Sequence, residues 1–265
     1  IFAGRIQRDG YVIEKYLIKG EGKYMIPYLL LKPETASVKA LIYLSPEGKT
    51  ADVAIGGQME WFAKNGVTVL APDMVGTGEL GPGIFHGDSY IDSVSYNLWF
   101  ASMIIGRSIV GIQAGDVVKL TNLLKNGLHF KEIYGLAKSE MAPVLLHAAA
   151  FDKDIKKVAL IHPYSSYRSI VMNYRYNPHF IQSTVPGSIG IYDLPDLAAN
   201  LSPKKILITG ITDGNGNTGN VTDINKDVSV IKAGYNYKNA GSQLQISPAL
   251  TGTKLTDALK IWLAD

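Results

Sequence analysis

The 265-residue chain contains no cysteine. That excludes disulfides, thiolate metal sites and a cysteine nucleophile, and leaves the compartment open. The chain also lacks any run of about 18 apolar residues, the length a single membrane-crossing helix needs. Charge of one sign is scarce. Against 26 Lys and Arg stand 23 Asp and Glu, a formal net charge of +3. No basic cluster breaks this balance, so the electrostatic footprint of a nucleic-acid binder is missing. No histidine follows His179. The first residue is Ile1 rather than Met, as expected of a processed chain or a piece of a longer one, and no signal peptide can be read.

What is present suits one α/β domain over residues 1–265, with 46% hydrophobic residues to fill a large core. Residues 1–10 are too short a stretch to assign. Two strands are expected over 12–18 and 24–32, around the turn Gly20-Glu-Gly22. Further strands are expected over 40–44, 67–71, 157–161, 205–210 and 244–246. Helices are expected over 53–65, where Ile55, Met59 and Phe62 share a face, over 108–124, and over 253–263. This alternation implies a mainly parallel sheet with helices on both faces. Residues 76–97 form a long Gly-rich passage that contains His86. Residues 164–200, with Tyr164, Tyr167, Tyr174 and Tyr176, read as a small cap insertion.

The most informative stretch is Glu132-Ile-Tyr-Gly-Leu-Ala-Lys-Ser-Glu-Met-Ala-Pro-Val-Leu-Leu-His-Ala-Ala-Ala-Phe-Asp152. A short apolar run with strand length leads into Ala137-Lys-Ser-Glu140, and a tightly packed helix follows. Pro143 fits its first turn, where the missing N–H costs nothing. Strand, tight turn and helix with Ser139 at the apex match a nucleophile elbow, usually Gly-x-Ser-x-Gly because strand and helix must approach closely. Here the flanks are Ala137 and Met141. The competing reading of Ser139 is a helix N-cap.

This segment resembles the elbow of the acetyl xylan esterase and dienelactone hydrolase relatives within the α/β-hydrolases, where an Ala-rich helix ends in Asp, as at Asp152. Four more segments are similar to that group in the same order. They are Tyr43-Leu-Ser-Pro-Glu-Gly-Lys49, Val69-Leu-Ala-Pro-Asp-Met-Val-Gly-Thr-Gly-Glu79, Asp193-Leu-Pro-Asp-Leu197 and Ile206-Leu-Ile-Thr-Gly-Ile-Thr-Asp213. The resemblance implies an α/β-hydrolase fold and carbohydrate-esterase chemistry on an acetylated polysaccharide or oligosaccharide. It also implies export to the periplasm or beyond. No cofactor or metal is expected.

In that resemblance Ser139 is the nucleophile and Asp213 the acid that orients a histidine. The histidine belongs between the last strand and the closing helix. Here that place reads Ser247-Pro-Ala-Leu-Thr-Gly-Thr253. His162 is the candidate substitute base, because it ends the strand beside the elbow strand and neighbouring strands lie about 4.8 Å apart. His86 and His179 lie in loops that can fold over the site, His147 reads as a satisfied core residue, and His129 as surface. The oxyanion donors would be the backbone N–H groups of Glu140 and Glu47. Tyr164 and Tyr167 are candidates for stacking on sugar rings, or for the core. The tract Asp213-Gly-Asn-Gly-Asn217 mimics half of a calcium loop but lacks Gly and Glu at Thr218 and Ile224. Asp73 and Glu79 are expected to fix the Gly-rich turn. The alternative function is a degenerate homologue that serves binding or assembly, self-association included.

Overall fold

The computed structural model describes residues 1–81, 94, 96–219 and 221–264. Among them nine strands form one sheet: β1 (Phe2–Arg8), β2 (Tyr11–Lys19), β3 (Met25–Pro33), β4 (Lys39–Leu44), β5 (Val67–Pro72), β6 (Glu132–Lys138), β7 (Ile155–Ile161), β8 (Lys205–Thr209) and β9 (Leu244–Ser247). Their spatial order is β1-β2-β3-β5-β4-β6-β7-β8-β9. The first three run antiparallel, as does the β3–β5 pairing. From β5 to β9 every neighbouring pair is parallel.

The parallel strands are near-continuous apolar runs because both faces of the sheet are covered. Along β4, Ala40, Ile42 and Leu44 enter one core while Leu41 and Tyr43 enter the other. The first core is closed by α3 (Ile109–Asn122), α4 (Ala142–Phe151), α6 (Leu194–Asn200) and α7 (Val221–Tyr237). The second is closed by α1 (Gln58–Lys64) and α8 (Gly252–Leu263), through Met59, Phe62, Leu259 and Trp262. Of the other two helices, α5 (Tyr167–Val171) sends Tyr167 and Ile170 into the first core, and α2 (Tyr96–Ile104) adds no residue to either core.

Most expected elements are present with small boundary shifts, and three differences have physical causes. The helix expected over 53–65 begins only at Gln58. Gly56 takes a left-handed backbone (φ +81°) and Gly57 is the N-cap, so Ile55 is 72% exposed instead of buried. Residues 2–8, left unassigned, add β1 by pairing with β2. The unassigned tract after 220 is α7, whose buried residues Ile224, Val228, Ile231 and Tyr235 are separated by many polar ones. Within 164–200, α5 and two 3₁₀ turns precede α6, which packs into the first core. His86 lies outside the described residues.

Candidate active site

The site is built at the carboxyl ends of β6 and β7, where groups gather in parallel sheets. β6 must pass close under α4, and Gly135 permits it. A Cβ there would meet the side chain of Leu145. The strand ends at Lys138, whose ammonium pairs with Asp52 at 2.8 Å and lies 5.5 Å from the Tyr43 ring centroid. The Tyr43 hydroxyl lies 2.8 Å from Asp52 Oδ2 and 2.5 Å from Gln58 Oε1, with one proton to donate between them. These bonds hold the end of β6 on the α1 side of the sheet.

One residue further on the chain reverses. Ser139 has φ +45°, a left-handed backbone that costs a non-glycine residue about 1–3 kcal/mol. A 3₁₀ turn over Ser139–Met141 then opens α4. Met141 occupies the N-cap of α4, and no side chain caps it. The N-cap reading of Ser139 therefore gives way to an elbow.

His162 follows β7 with the same anomaly, φ +53°. Lys138 pairs with Ile161 in the parallel register, so Ser139 and His162 are the next positions on adjacent strands. The His162 N–H donates to the Thr209 carbonyl at 2.8 Å. Its ring leans over Gly210 at the end of β8. A Cβ on Gly210 would lie 2.5 Å from His162 Nδ1 and 3.2 Å from the Ala249 Cα. The imidazole thus occupies space beside the β9–α8 loop, where the resemblance places the missing histidine.

Ser139 and His162 line one open cavity of about 620 Å³, together with Glu140, Glu47, His179 and Gln182. Gln182 carries a buried carbonyl oxygen without a partner. Nothing in the sequence marked it, since a neutral amide has no motif. Gly210, whose missing Cβ makes room for the imidazole, had only its place after a strand as a signal. Among the described residues no hydrogen bond joins the Ser139 hydroxyl to a histidine.

Asp213 lies outside this group. It is buried, and its Oδ1 accepts the N–H groups of Asn215 at 2.9 Å and Asn217 at 3.0 Å. Its own N–H donates to the Asn217 carbonyl at 2.8 Å. The carboxylate thus ties its own turn. Among the described residues, no cluster of three or more His, Asp or Glu gathers around it as a metal site.

Tyr164 and Tyr167 are both 2% exposed and belong to the first core, against each other and Phe180. The Tyr164 hydroxyl donates to the Ser183 carbonyl at 3.0 Å. Neither ring lines the cavity with Ser139, so the sugar-stacking expectation gives way to packing for these two. His147 is also buried. Its Nδ1 lies 2.7 Å from the Pro143 carbonyl and its Nε2 2.9 Å from the Tyr192 hydroxyl, and burial pushes its pKa down. Asp73 fixes the Gly-rich turn as expected. It accepts the N–H groups of Lys49 (2.7 Å) and Glu79 (3.0 Å) and the Lys49 ammonium.

Sheet order, elbow and flanking helices together decide the architecture. The chain has an α/β-hydrolase fold. Solved structures at TM-scores above 0.6 share it. A Bacteroides fragilis protein assigned as an acetyl xylan esterase matches 97% of this chain and 71% of its own, at 18% identity and TM-score 0.75. An acetyl xylan esterase from Paenibacillus sp. R4 matches 98% and 85%, at 13% identity and TM-score 0.66. A glucuronoyl esterase from Teredinibacter turnerae matches 99% and 78%, at 12% identity and TM-score 0.62. No family model and no curated protein matches the sequence.

Proposed function

We propose that this α/β-hydrolase domain is a carboxylic-ester hydrolase acting on esters carried by a polysaccharide or oligosaccharide, acetyl esters first among them. The supporting observation is the strained Ser139 elbow beside His162 in one open cavity. The named esterases that share the fold point to the same chemistry. In this reading His162 takes the Ser139 proton as the hydroxyl attacks the ester carbonyl. The oxyanion is met by the backbone N–H of Glu140, at the helical turn whose first N–H groups lack intrahelical partners, and by that of Glu47. Collapse of the tetrahedral intermediate expels the sugar hydroxyl, with the proton returned by His162, and leaves an acetyl-serine. Water then attacks it with the same residue as base, releasing acetate. A substrate of this kind implies an exported protein.

A second reading is favoured by Asp213. Its Oδ1 is held by its own turn, and among the described residues no carboxylate is hydrogen-bonded to the His162 ring. A site of this kind binds an ester-bearing sugar without turning it over, in an exported binding or assembly protein that self-associates.

The deciding measurement is acetate release from acetylated xylo-oligosaccharide at high protein concentration. Turnover that vanishes in Ser139→Ala establishes the hydrolase. No turnover, with saturable oligosaccharide binding by calorimetry, establishes the binder, and light scattering then reports its self-association.

A further inference from the structure

The two residues whose backbone N–H groups would meet the oxyanion, Glu140 and Glu47, are both acidic, and both line the Ser139 cavity. No Lys or Arg stands among the residues that line it. Its other ionisable side chains are His162 and His179, and a histidine that takes a proton from serine has to start neutral.

Nothing nearby mends that imbalance. Lys138 directly precedes Ser139, but its ammonium is held by Asp52 at 2.8 Å, on the α1 side of the sheet. Lys49 is two residues from Glu47, yet it is buried and bound to Asp73 and Glu79. Arg175, two residues before Asn177 on the cavity wall, is exposed and does not line it. Residues 82–93, 95, 220 and 265, outside the described set, include no Lys or Arg.

Both carboxylates are open to a ligand. Glu47 is exposed, and only its Oε2 is engaged, by the Ser45 hydroxyl. Glu140 is half-buried and, among the described residues, neither pairs with a cation nor accepts a side-chain hydrogen bond. Burial pushes the Tyr164 phenol pKa far up, and the charges of Asp193 and Glu140 add to that shift. The field of Glu140 therefore reaches the chain just beyond His162.

These charges select the ligand. A cleft lined by one sign of charge concentrates the opposite sign and repels its own. A uronate would bring a third anion to the pair. In ester hydrolysis the oxyanion would do the same, since its donors belong to the two acidic residues. A substrate ammonium is the cation the cavity lacks. It pairs with the carboxylates when the substrate binds, and it offsets the oxyanion as that charge forms.

We propose that the Ser139 cavity takes a cationic glycan, a sugar chain with free amino groups beside its ester, and rejects uronate-bearing chains, with Glu140 and Glu47 setting the preference. The inference rests on the sugar reading of the cavity, and it applies to the hydrolase and to the binder alike.

The test is calorimetric binding, to the whole chain, of three cellotetraose probes that differ only at the sixth carbon: the alcohol, the primary amine and the carboxylate. None carries an ester, so none is consumed. At neutral pH and low salt the amine should bind about fivefold tighter than the alcohol and the carboxylate about fivefold more weakly, the scale of partly solvated charge pairs. Salt at about 1 M should shrink both gaps, because charges are then screened beyond roughly 3 Å. Glu140→Gln and Glu47→Gln keep the shape of side chains that reach solvent. Each should narrow the gap between amine and alcohol, and the double variant should close it. Saturable binding of all three probes without that ranking overturns the proposal and leaves the sugar cavity standing, as does a ranking that survives in the double variant. No binding by any probe overturns both.

Discussion

Ser139 and His162 are neighbours across two parallel strands, and both hold a left-handed backbone, at φ +45° and +53°, that favours glycine. The strain falls at one register level of two adjacent strands, on one cavity rim. Non-glycine residues persist in such conformations where the surrounding structure over-determines them, and functional sites are where they cluster.

The first prediction separates the histidines of that rim. If His162 is the base, His162→Ala lowers acetate release by about 10²–10⁴-fold, the usual range for removing a general base. His179→Ala should lower it far less, acting on KM more than on kcat. Steady-state rates on acetylated xylo-oligosaccharide make the comparison, and equal kcat losses for the two variants would remove His162 from its role.

Ser139→Gly tests the strain directly. Glycine accepts φ +45° freely, so the variant should lose any turnover and yet gain about 1 kcal/mol of stability, net of the added chain entropy. For a chain of this size that is a rise of roughly 2–4 °C in Tm. Ser139→Ala keeps the strain and should melt like the parent. A Ser139→Gly protein that melts no higher than Ser139→Ala argues against stored strain.

Asp73 gathers two backbone N–H groups and the buried Lys49 ammonium. Asp73→Ala leaves Lys49 with Glu79, whose side chain is 68% exposed. Removing one partner of a buried pair costs about 3–5 kcal/mol, and the remaining glutamate holds the expected loss to roughly 3 kcal/mol. Glu79→Ala, at a solvated carboxylate, should cost about 1 kcal/mol or less. Urea titrations of the two variants read the difference, and comparable midpoints would contradict this ranking.

His147 predicts a pH dependence. Burial lowers its folded-state pKa below the ordinary value of 6.5. The unfolded chain therefore binds a proton that the fold resists, and stability falls as pH drops below about 6.5. It is fully present above that value. His147→Gln should remove this part of the slope in Tm against pH. An unchanged slope would locate the acid sensitivity elsewhere.

The sequence by itself determined the layered α/β plan, because buried parallel strands must be apolar runs and the covering helices must repeat at their own period. It determined the reversal at Ser139 as well, since a strand, a polar apex and an Ala-rich helix admit few other geometries. α7 escaped notice because its four buried apolar residues, Ile224, Val228, Ile231 and Tyr235, stand singly, one turn apart, in a polar, Asn- and Lys-bearing tract. Only the tertiary structure decided which way the site residues face. His162 swings over Gly210 because that position has no Cβ, Tyr164 packs between Phe180 and Tyr167 in the core, and Asp213 is claimed by its own turn. Those outcomes rest on space and hydrogen-bond competition between segments far apart in the chain, which no local pattern encodes.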